Sequence, residues 1–293
     1  MKSLQPYLIA MLLPVLVSAC SKPSLESEAA VKEQAQSGAR GTTREAVAPA
    51  LDELMERSGM NAQAAQMSAN IMSSADSELK KGIPNAETIR VILVEAFNPG
   101  ALRDVTRNYL HEHLEEKHID ASLTWLNSMT GQKITQLEKK YSGQQAQQAM
   151  ATQYVELAKN ERRVSMVNEL DRAIQSTDST VNIVLALQEA MLLAMQSALP
   201  PEQRVPVEAM KTASEKARED MRKQYQWVVE AAYLHNYQDL SDEELQAYIG
   251  FANSDSGKRY HIALAESLQT AVTVAGQNAG EAIAQLNVNS ERK

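Results

Sequence analysis

A chain of 293 residues with 44% apolar and 23% charged residues has enough apolar material for a core in each of two domains. Its formal net charge of −8 argues against nucleic acid as a partner and against polybasic attachment to a membrane, since both need concentrated positive charge. Aromatic residues make up only 4% and methionine occurs 13 times, so the composition favours cores of Ala, Leu, Val and Met on helices.

Residues 1–19 have the features of a secretory signal peptide. One charged residue, Lys2, precedes an apolar run over residues 7–17, which has the length of a signal-peptide core and is too short to span a bilayer. The run ends in Val17-Ser18-Ala19-Cys20, which resembles the bacterial lipobox and contains the only cysteine of the chain. The resemblance implies cleavage before Cys20, lipidation of its thiol and acylation of the new amino terminus, with palmitate among the acyl chains. A signal peptide with an incidental cysteine is the alternative.

The segment after the cysteine predicts where the protein sits. Ser21 follows Cys20 where Asp would be the alternative, and this resembles the pattern of lipoproteins sorted to the outer membrane. We therefore expect a lipid-anchored protein on the periplasmic face of the bacterial outer membrane. Residues 20–46 are rich in Ser, Glu, Ala, Gln and Gly without a sustained apolar face. This composition predicts a flexible tether with a mean reach of roughly 25–30 Å.

From Val47 onward, apolar residues recur at the three- and four-residue spacing of a helix face, which predicts an all-α fold. One of the predicted helices runs from Ala101 to about Lys117. We predict two tandem helical-bundle repeats, residues 47–160 and 161–275. A tail rich in Gly, Asn and Gln follows over residues 276–293, and we expect it to fray.

The two predicted repeats share one motif, in which an aromatic residue precedes Asn-Ser, two further residues, a glycine and basic residues. Its structural positions are Trp125, Ser128 and Gly131 in the first copy and Phe251, Ser254 and Gly257 in the second. Between two helices the glycine permits a tight turn, the serine bonds freed backbone groups, and the aromatic ring anchors the turn to the core. A ligand notch made by both turns is the functional alternative.

The second copy also carries a resemblance to a known family. The run Leu240-Ser-Asp-Glu-Glu-Leu245 predicts a capped helix start with acidic residues in its first turn, and an aromatic residue and the Asn253–Lys258 turn follow. This pattern resembles the bacterial envelope family called domain of unknown function 2059, over roughly residues 220–270. The first copy departs from it, since the segment at Glu115 lacks the capping serine and Met129 stands where the second copy has Asp. The resemblance implies a secreted helical domain and no known activity.

Three side chains have metal-ligand spacing. His111, Glu115 and His118 fall at i, i+4 and i+7, so within one helix they share a face that could hold a divalent metal such as zinc. Exposed His and Glu residues are common on polar helix faces. We therefore predict no metal site and no cofactor.

The sequence contains no pattern that defines a catalytic group, because the Gly250–Lys258 stretch lacks the spacing and the preceding strand of a phosphate loop or a nucleophile elbow. We predict a membrane-tethered, non-enzymatic interaction or structural module of the cell envelope, with an envelope protein as partner and no nucleic acid. One alternative is a hydrolase-like envelope enzyme with its site in the groove between the repeats. A weaker alternative is a metal-binding or sensing lipoprotein. A pocket between the repeats that holds a histidine or carboxylate of perturbed pKa would favour the enzyme, whereas a broad apolar surface patch would favour the interaction module.

Overall fold

The computed structural model describes residues 41–82, 85–141, 144–196 and 201–291, and these ranges form helices and no strand. The prediction of an all-α, helical-bundle fold is confirmed. In chain order the helices are α1 Gly41–Arg57, α2 Met60–Leu79, α3 Ala86–Ala96, α4 Pro99–His113, α5 Glu116–Asn127, α6 Met129–Lys140, α7 Gln144–Leu157, α8 Glu161–Ile174, α9 Ser176–Gln196, α10 Val207–Asn236, α11 Asp242–Asn253 and α12 Asp255–Glu291. A short 3-10 helix, Pro201–Gln203, precedes α10. Residues 41–46 of the predicted tether belong to α1.

Two helix starts show how the local sequence sets the helix boundaries. The Asn98 side chain caps α4 by accepting hydrogen bonds from the N–H groups of Gly100 at 2.8 Å and Ala101 at 3.3 Å. A capping box starts α11, in which the Glu244 N–H donates to Ser241 Oγ at 3.2 Å and the Ser241 N–H donates to Glu244 Oε2 at 2.7 Å. The capped start predicted at Ser241 is therefore present.

Two large hydrophobic clusters form most of the interior of the described ranges, and a small third one packs α9 against α10. The first cluster is built from side chains of α1–α5, α9 and α12, among which Leu54, Phe97 and Ile283 are fully buried. The second cluster is built mainly from α6, α8, α10 and α11, among which Leu170 and Leu245 are fully buried. Each buried side chain of this size stabilises the fold by about 1.5–3 kcal/mol.

The helices that follow the two motif turns are exchanged between the clusters. Helix α6, which follows the first turn, contributes Ile134 and Leu137 to the second cluster. Helix α12, which follows the second turn, contributes Tyr260 and Leu268 to the first cluster. The exchange ties the two halves of the chain together, and the boundary between residues 160 and 161 stays a prediction.

Helix α12 corrects the prediction of a frayed tail from residue 276. The helix continues to Glu291, and Ala279 and Ile283 are fully buried in the first cluster. A Cβ at Gly276 would lie 3.0 Å from Leu187 Cδ1, so this glycine lets α9 and α12 approach closely. Gly276 therefore serves helix packing rather than fraying, because tertiary contacts override a weak helix propensity.

Candidate functional site

The first motif turn joins α5 to α6 through a serine cap. Ser128 Oγ accepts a hydrogen bond from the Gly131 N–H at 3.0 Å and donates one to the Trp125 carbonyl oxygen at 2.6 Å. Ser128 has extended backbone angles, φ −66° and ψ 159°, which turn the chain between the helices. A Cβ at Gly131 would lie 2.1 Å from the Trp125 carbonyl oxygen, so the turn has room only for glycine.

The second motif turn joins α11 to α12 with the same geometry. Ser254 Oγ accepts from the Gly257 N–H at 3.0 Å and donates to the Phe251 carbonyl oxygen at 2.7 Å. The backbone angles of Ser254 are φ −66° and ψ 160°. A Cβ at Gly257 would lie 1.9 Å from the Phe251 carbonyl oxygen. The close agreement between the two turns supports the interpretation that the two stretches are copies of one unit.

The aromatic residues of the two turns contact each other. The rings of Trp125 and Phe251 stack with their centroids 4.8 Å apart and their planes 7° from parallel. Both rings pack against the first and the second cluster, so the stack lies where the clusters join. Such a pair contributes about 0.5–1.5 kcal/mol beyond the burial of its area.

Beside this stack, the first helix of each motif copy contacts the second helix of the other copy. His118, the third residue of α5, has Nδ1 3.0 Å from Ser256 Oγ at the start of α12. Its counterpart Glu244, the third residue of α11, accepts a charged hydrogen bond from Lys133 Nζ near the start of α6, with Oε2 at 2.6 Å. The motif thus builds the junction between the two halves of the chain.

A cavity of about 310 Å³ lies between the two clusters. From the first cluster its lining includes Met67, Ile183 and Leu268. From the second cluster its lining includes Tyr237 and Tyr248. The volume falls at the lower end of the range for small-ligand sites, and the lining combines apolar with polar side chains.

Glu138 on α6 is the only carboxylate among the described residues that line this cavity. Its Oε1 accepts a hydrogen bond from the Tyr237 hydroxyl at 2.7 Å, and within the described ranges no hydrogen bond reaches Oε2. Burial raises the pKa of Glu138 to about 7, and the Tyr237 hydrogen bond and the charge of Lys139 oppose this only in part. Near neutral pH the side chain is therefore divided between carboxylate and carboxylic acid.

His261 on α12 lines the same cavity as a neutral imidazole. Burial lowers the pKa of His261 to about 3, because the charged form would lose its hydration. Its Nε2 is buried and has no hydrogen-bond partner in the part of the chain that the structure describes. The ring lies 4.8 Å from the Tyr260 ring and 6.1 Å from the Tyr248 ring, measured between centroids. At neutral pH this residue therefore brings no positive charge into the cavity.

Tyrosine side chains supply much of the remaining polar lining. They are Tyr233, Tyr237, Tyr248 and Tyr260. Burial raises the pKa of each above its ordinary value of 10, so the hydroxyl groups stay protonated and can donate hydrogen bonds. The hydroxyl of Tyr233 shares a hydrogen bond with Ser176 of α9. The cavity can therefore hold a small molecule that has an apolar surface and a group that binds the carboxylate of Glu138.

Glu138 and His261 were not predicted as site residues, although the sequence carries a signal for both. Glu138 falls on the same helical face as Ile134 and Leu137, and His261 falls on the same face as Leu264. A titratable residue at an apolar position of an amphipathic helix is a candidate for burial, and buried titratable groups collect at functional sites.

The predicted shared face of His111, Glu115 and His118 is wrong. Helix α4 ends at His113, and Leu114 is extended with φ −110° and ψ 112°, so the three residues do not belong to one helix. Leu114, at which the chain leaves the helix, is buried in the first cluster. Among the described residues, no group of three or more His, Cys, Asp or Glu side chains could hold a metal ion.

No protein-family model matches the chain, and neither a curated protein nor a solved structure matches it. The lipid anchor and the resemblance to domain of unknown function 2059 therefore stay predictions. The predicted signal peptide, Cys20 and the tether as far as residue 40 lie outside the described residues. Over the ranges that the structure describes, no helix is long and apolar enough to cross a membrane.

Proposed function

We propose that the chain is a lipid-tethered protein of the bacterial cell envelope that binds a small ligand in the cavity between its two clusters. The observation that carries this proposal is the cavity itself, about 310 Å³ in volume, with Glu138 in its lining. The lipobox at Val17–Cys20 and the following Ser21 support a tether to the outer membrane, with the ligand site in the periplasm.

Filling the cavity is expected to abolish ligand binding. Ser179 lines the cavity from α9, and a Ser179→Trp variant would place an indole ring in this space without removing Glu138. Small-molecule fragments of mixed charge, screened by ligand-observed NMR, should bind the native chain and lose at least about tenfold in affinity for this variant. The matched control is Ser165→Trp, because Ser165 is exposed on α8. Equal binding to both variants, or no fragment binding to the native chain, would contradict the proposed site.

The raised pKa of Glu138 favours a second candidate function, a hydrolase-like enzyme with its site in the same cavity. A carboxyl with a pKa of about 7 is well suited to accept and donate a proton at neutral pH. In that case ester and amide fragments that bind the cavity would be hydrolysed. A Glu138→Gln variant would keep the hydrogen bond from Tyr237 and lose turnover. If these fragments bind without being hydrolysed, the enzyme is excluded as a hydrolase of these substrates and the proposed ligand-binding function stands.

Replacing Cys20 with Ser is expected to release the protein from the membrane, because the thiol is the predicted site of lipid attachment. The measurement is fractionation of cell envelopes. A Ser21→Asp variant is the control, since it should stay membrane-bound and move from the outer to the inner membrane. A Cys20→Ser chain that has lost residues 1–19 and still fractionates with membranes would exclude the lipid anchor.

The envelope protein partner expected from the sequence stays a proposal, and crosslinking in the native envelope tests it. One dominant partner that is captured by the native chain and lost with Cys20→Ser would support an interaction module that depends on the tether. Capture that is unchanged in the Cys20→Ser variant would show that the interaction does not need the anchor.

A further inference from the structure

We infer that the cavity selects a small organic cation, an amine or a quaternary ammonium, which Glu138 and the surrounding tyrosine rings hold. The inference rests on the proposed function, since it names the ligand class of that same site. Three features of the lining lead to it: the charges it contains, the aromatic rings it presents and the hydrogen bonds that Glu138 lacks.

The charges in the lining favour a cation. Glu138 is the one carboxylate among the described lining residues, and these residues include no Lys or Arg. His261 is neutral at physiological pH, since burial lowers its pKa to about 3. The whole chain has a formal net charge of −8, which favours the approach of cations from solution. An anionic ligand would meet no compensating charge in this lining and would be repelled by Glu138.

The aromatic rings of the lining supply a second attraction. The ring of Tyr237 lies between those of Tyr233 and Tyr248, with centroid distances of 5.3 Å and 5.9 Å. Tyrosine faces attract ammonium groups through the ring quadrupole, and the attraction increases when the cation is removed from water. Groups of aromatic rings around a carboxylate therefore suit alkylated ammonium ions, whose weak hydration makes transfer into a cavity less costly.

The hydrogen bonding of Glu138 leaves one carboxylate oxygen available. Oε1 accepts from Tyr237, whereas Oε2 has no partner within the described ranges and can meet a ligand. A bound cation would replace the hydration that Glu138 loses on burial, and it would therefore favour the ionised form. Binding should accordingly release a proton from the protein near neutral pH.

The pH dependence of binding should follow Glu138 alone. The other groups that act on its charge are Lys139, Tyr233, Tyr237, Tyr248 and Tyr260. Burial raises the pKa of these four tyrosines, so they do not titrate near neutral pH. Burial raises the pKa of Glu138 to about 7, so affinity for a permanent cation should fall about tenfold for each pH unit below that value.

The experiment compares each of two cations with a neutral isostere, by calorimetry on the full mature chain. The probes are choline and butylamine, and in each isostere a carbon atom replaces the charged nitrogen. We expect both cations to bind and their isosteres to bind at least about tenfold more weakly. Glu138→Gln should lower the affinity for both cations by roughly 10- to 100-fold, because it removes a charge-assisted contact.

The matched control is Glu230→Gln. Glu230 also accepts a tyrosine hydrogen bond, from the Tyr154 hydroxyl at 2.8 Å, but it does not line the cavity. Its replacement should leave cation affinity unchanged. Isosteres that bind as tightly as the cations would overturn the cation class and leave a ligand-binding cavity in place. If neither cations nor isosteres bind, the cation inference fails, and the fragment screen with Ser179→Trp then decides whether the cavity binds any ligand.

Discussion

Replacing Gly257 with Ala is expected to lower the free energy of unfolding by about 3 kcal/mol. The new Cβ would lie 1.9 Å from the Phe251 carbonyl oxygen and 3.1 Å from the Ala252 Cα. Both neighbours are backbone atoms of α11, so relief requires that α11 and α12 move apart. That movement would disturb the stack of Phe251 on Trp125, which lies where the two clusters join. Gly131→Ala is expected to act alike, since its Cβ would lie 2.1 Å from a carbonyl oxygen.

The control for this substitution lies in the preceding helix. Gly250 is exposed in α11, and a Cβ there would meet no atom within 4 Å. Gly250→Ala should therefore raise the free energy of unfolding by up to about 1 kcal/mol through helix propensity. Urea unfolding followed by circular dichroism measures both changes. If the two alanine variants unfold at the same urea concentration, the close packing at Gly257 does not contribute to stability.

The repeated motif could be predicted from the sequence because its parts act locally. A serine three residues before a glycine, with an aromatic residue three residues before the serine, is enough to predict a capped turn between helices. The partner of each turn could not be predicted. The stack of Trp125 on Phe251 and the ion pair of Lys133 with Glu244 join residues more than a hundred positions apart. Spacing along the chain does not determine which helices pack together.

The cavity was missed for the same physical reason. Glu138 is a polar residue on a helix whose other inward positions are apolar, and its sequence neighbours do not reveal that side chains of α9, α10 and α12 line the same cavity. The sequence predicted that a pocket between the repeats with a histidine or carboxylate of perturbed pKa would favour an envelope enzyme. The helix periodicity predicts which faces of the helices are buried. The volume of the cavity depends on how those faces fit together, which the periodicity does not determine.

Glu138 and His261 are expected to give the stability of the protein opposite pH dependences. Burial raises the pKa of Glu138 from 4.5 to about 7, so the folded chain binds more protons than the unfolded chain between these values. The free energy of unfolding therefore falls as pH rises through this window, by roughly 3 kcal/mol in total. Burial lowers the pKa of His261 from 6.5 to about 3, so stability falls as pH drops below 6.5, by roughly 5 kcal/mol in total.

The two contributions partly cancel between pH 4.5 and 6.5, where both groups differ in protonation between the folded and unfolded chains. The native protein should accordingly vary less in stability over this window than a variant that keeps only one group. Glu138→Gln should raise the free energy of unfolding by roughly 3 kcal/mol more at pH 8 than at pH 4.5, because its neutral amide has no charge to desolvate. Urea unfolding at a series of pH values measures this difference.

The complementary variant separates the two groups. His261→Leu keeps a side chain of similar volume and removes the titrating imidazole, so Glu138 alone acts and stability should rise by roughly 3 kcal/mol as pH drops from 6.5 to 4.5. The stability of the native protein should change little over the same window. The double variant should lose both pH contributions. If Glu138→Gln instead changes stability equally at pH 8 and pH 4.5, Glu138 titrates like an exposed carboxyl. Its charge would then be hydrated rather than enclosed, and the cavity would lack the buried anion on which its selectivity for cations depends.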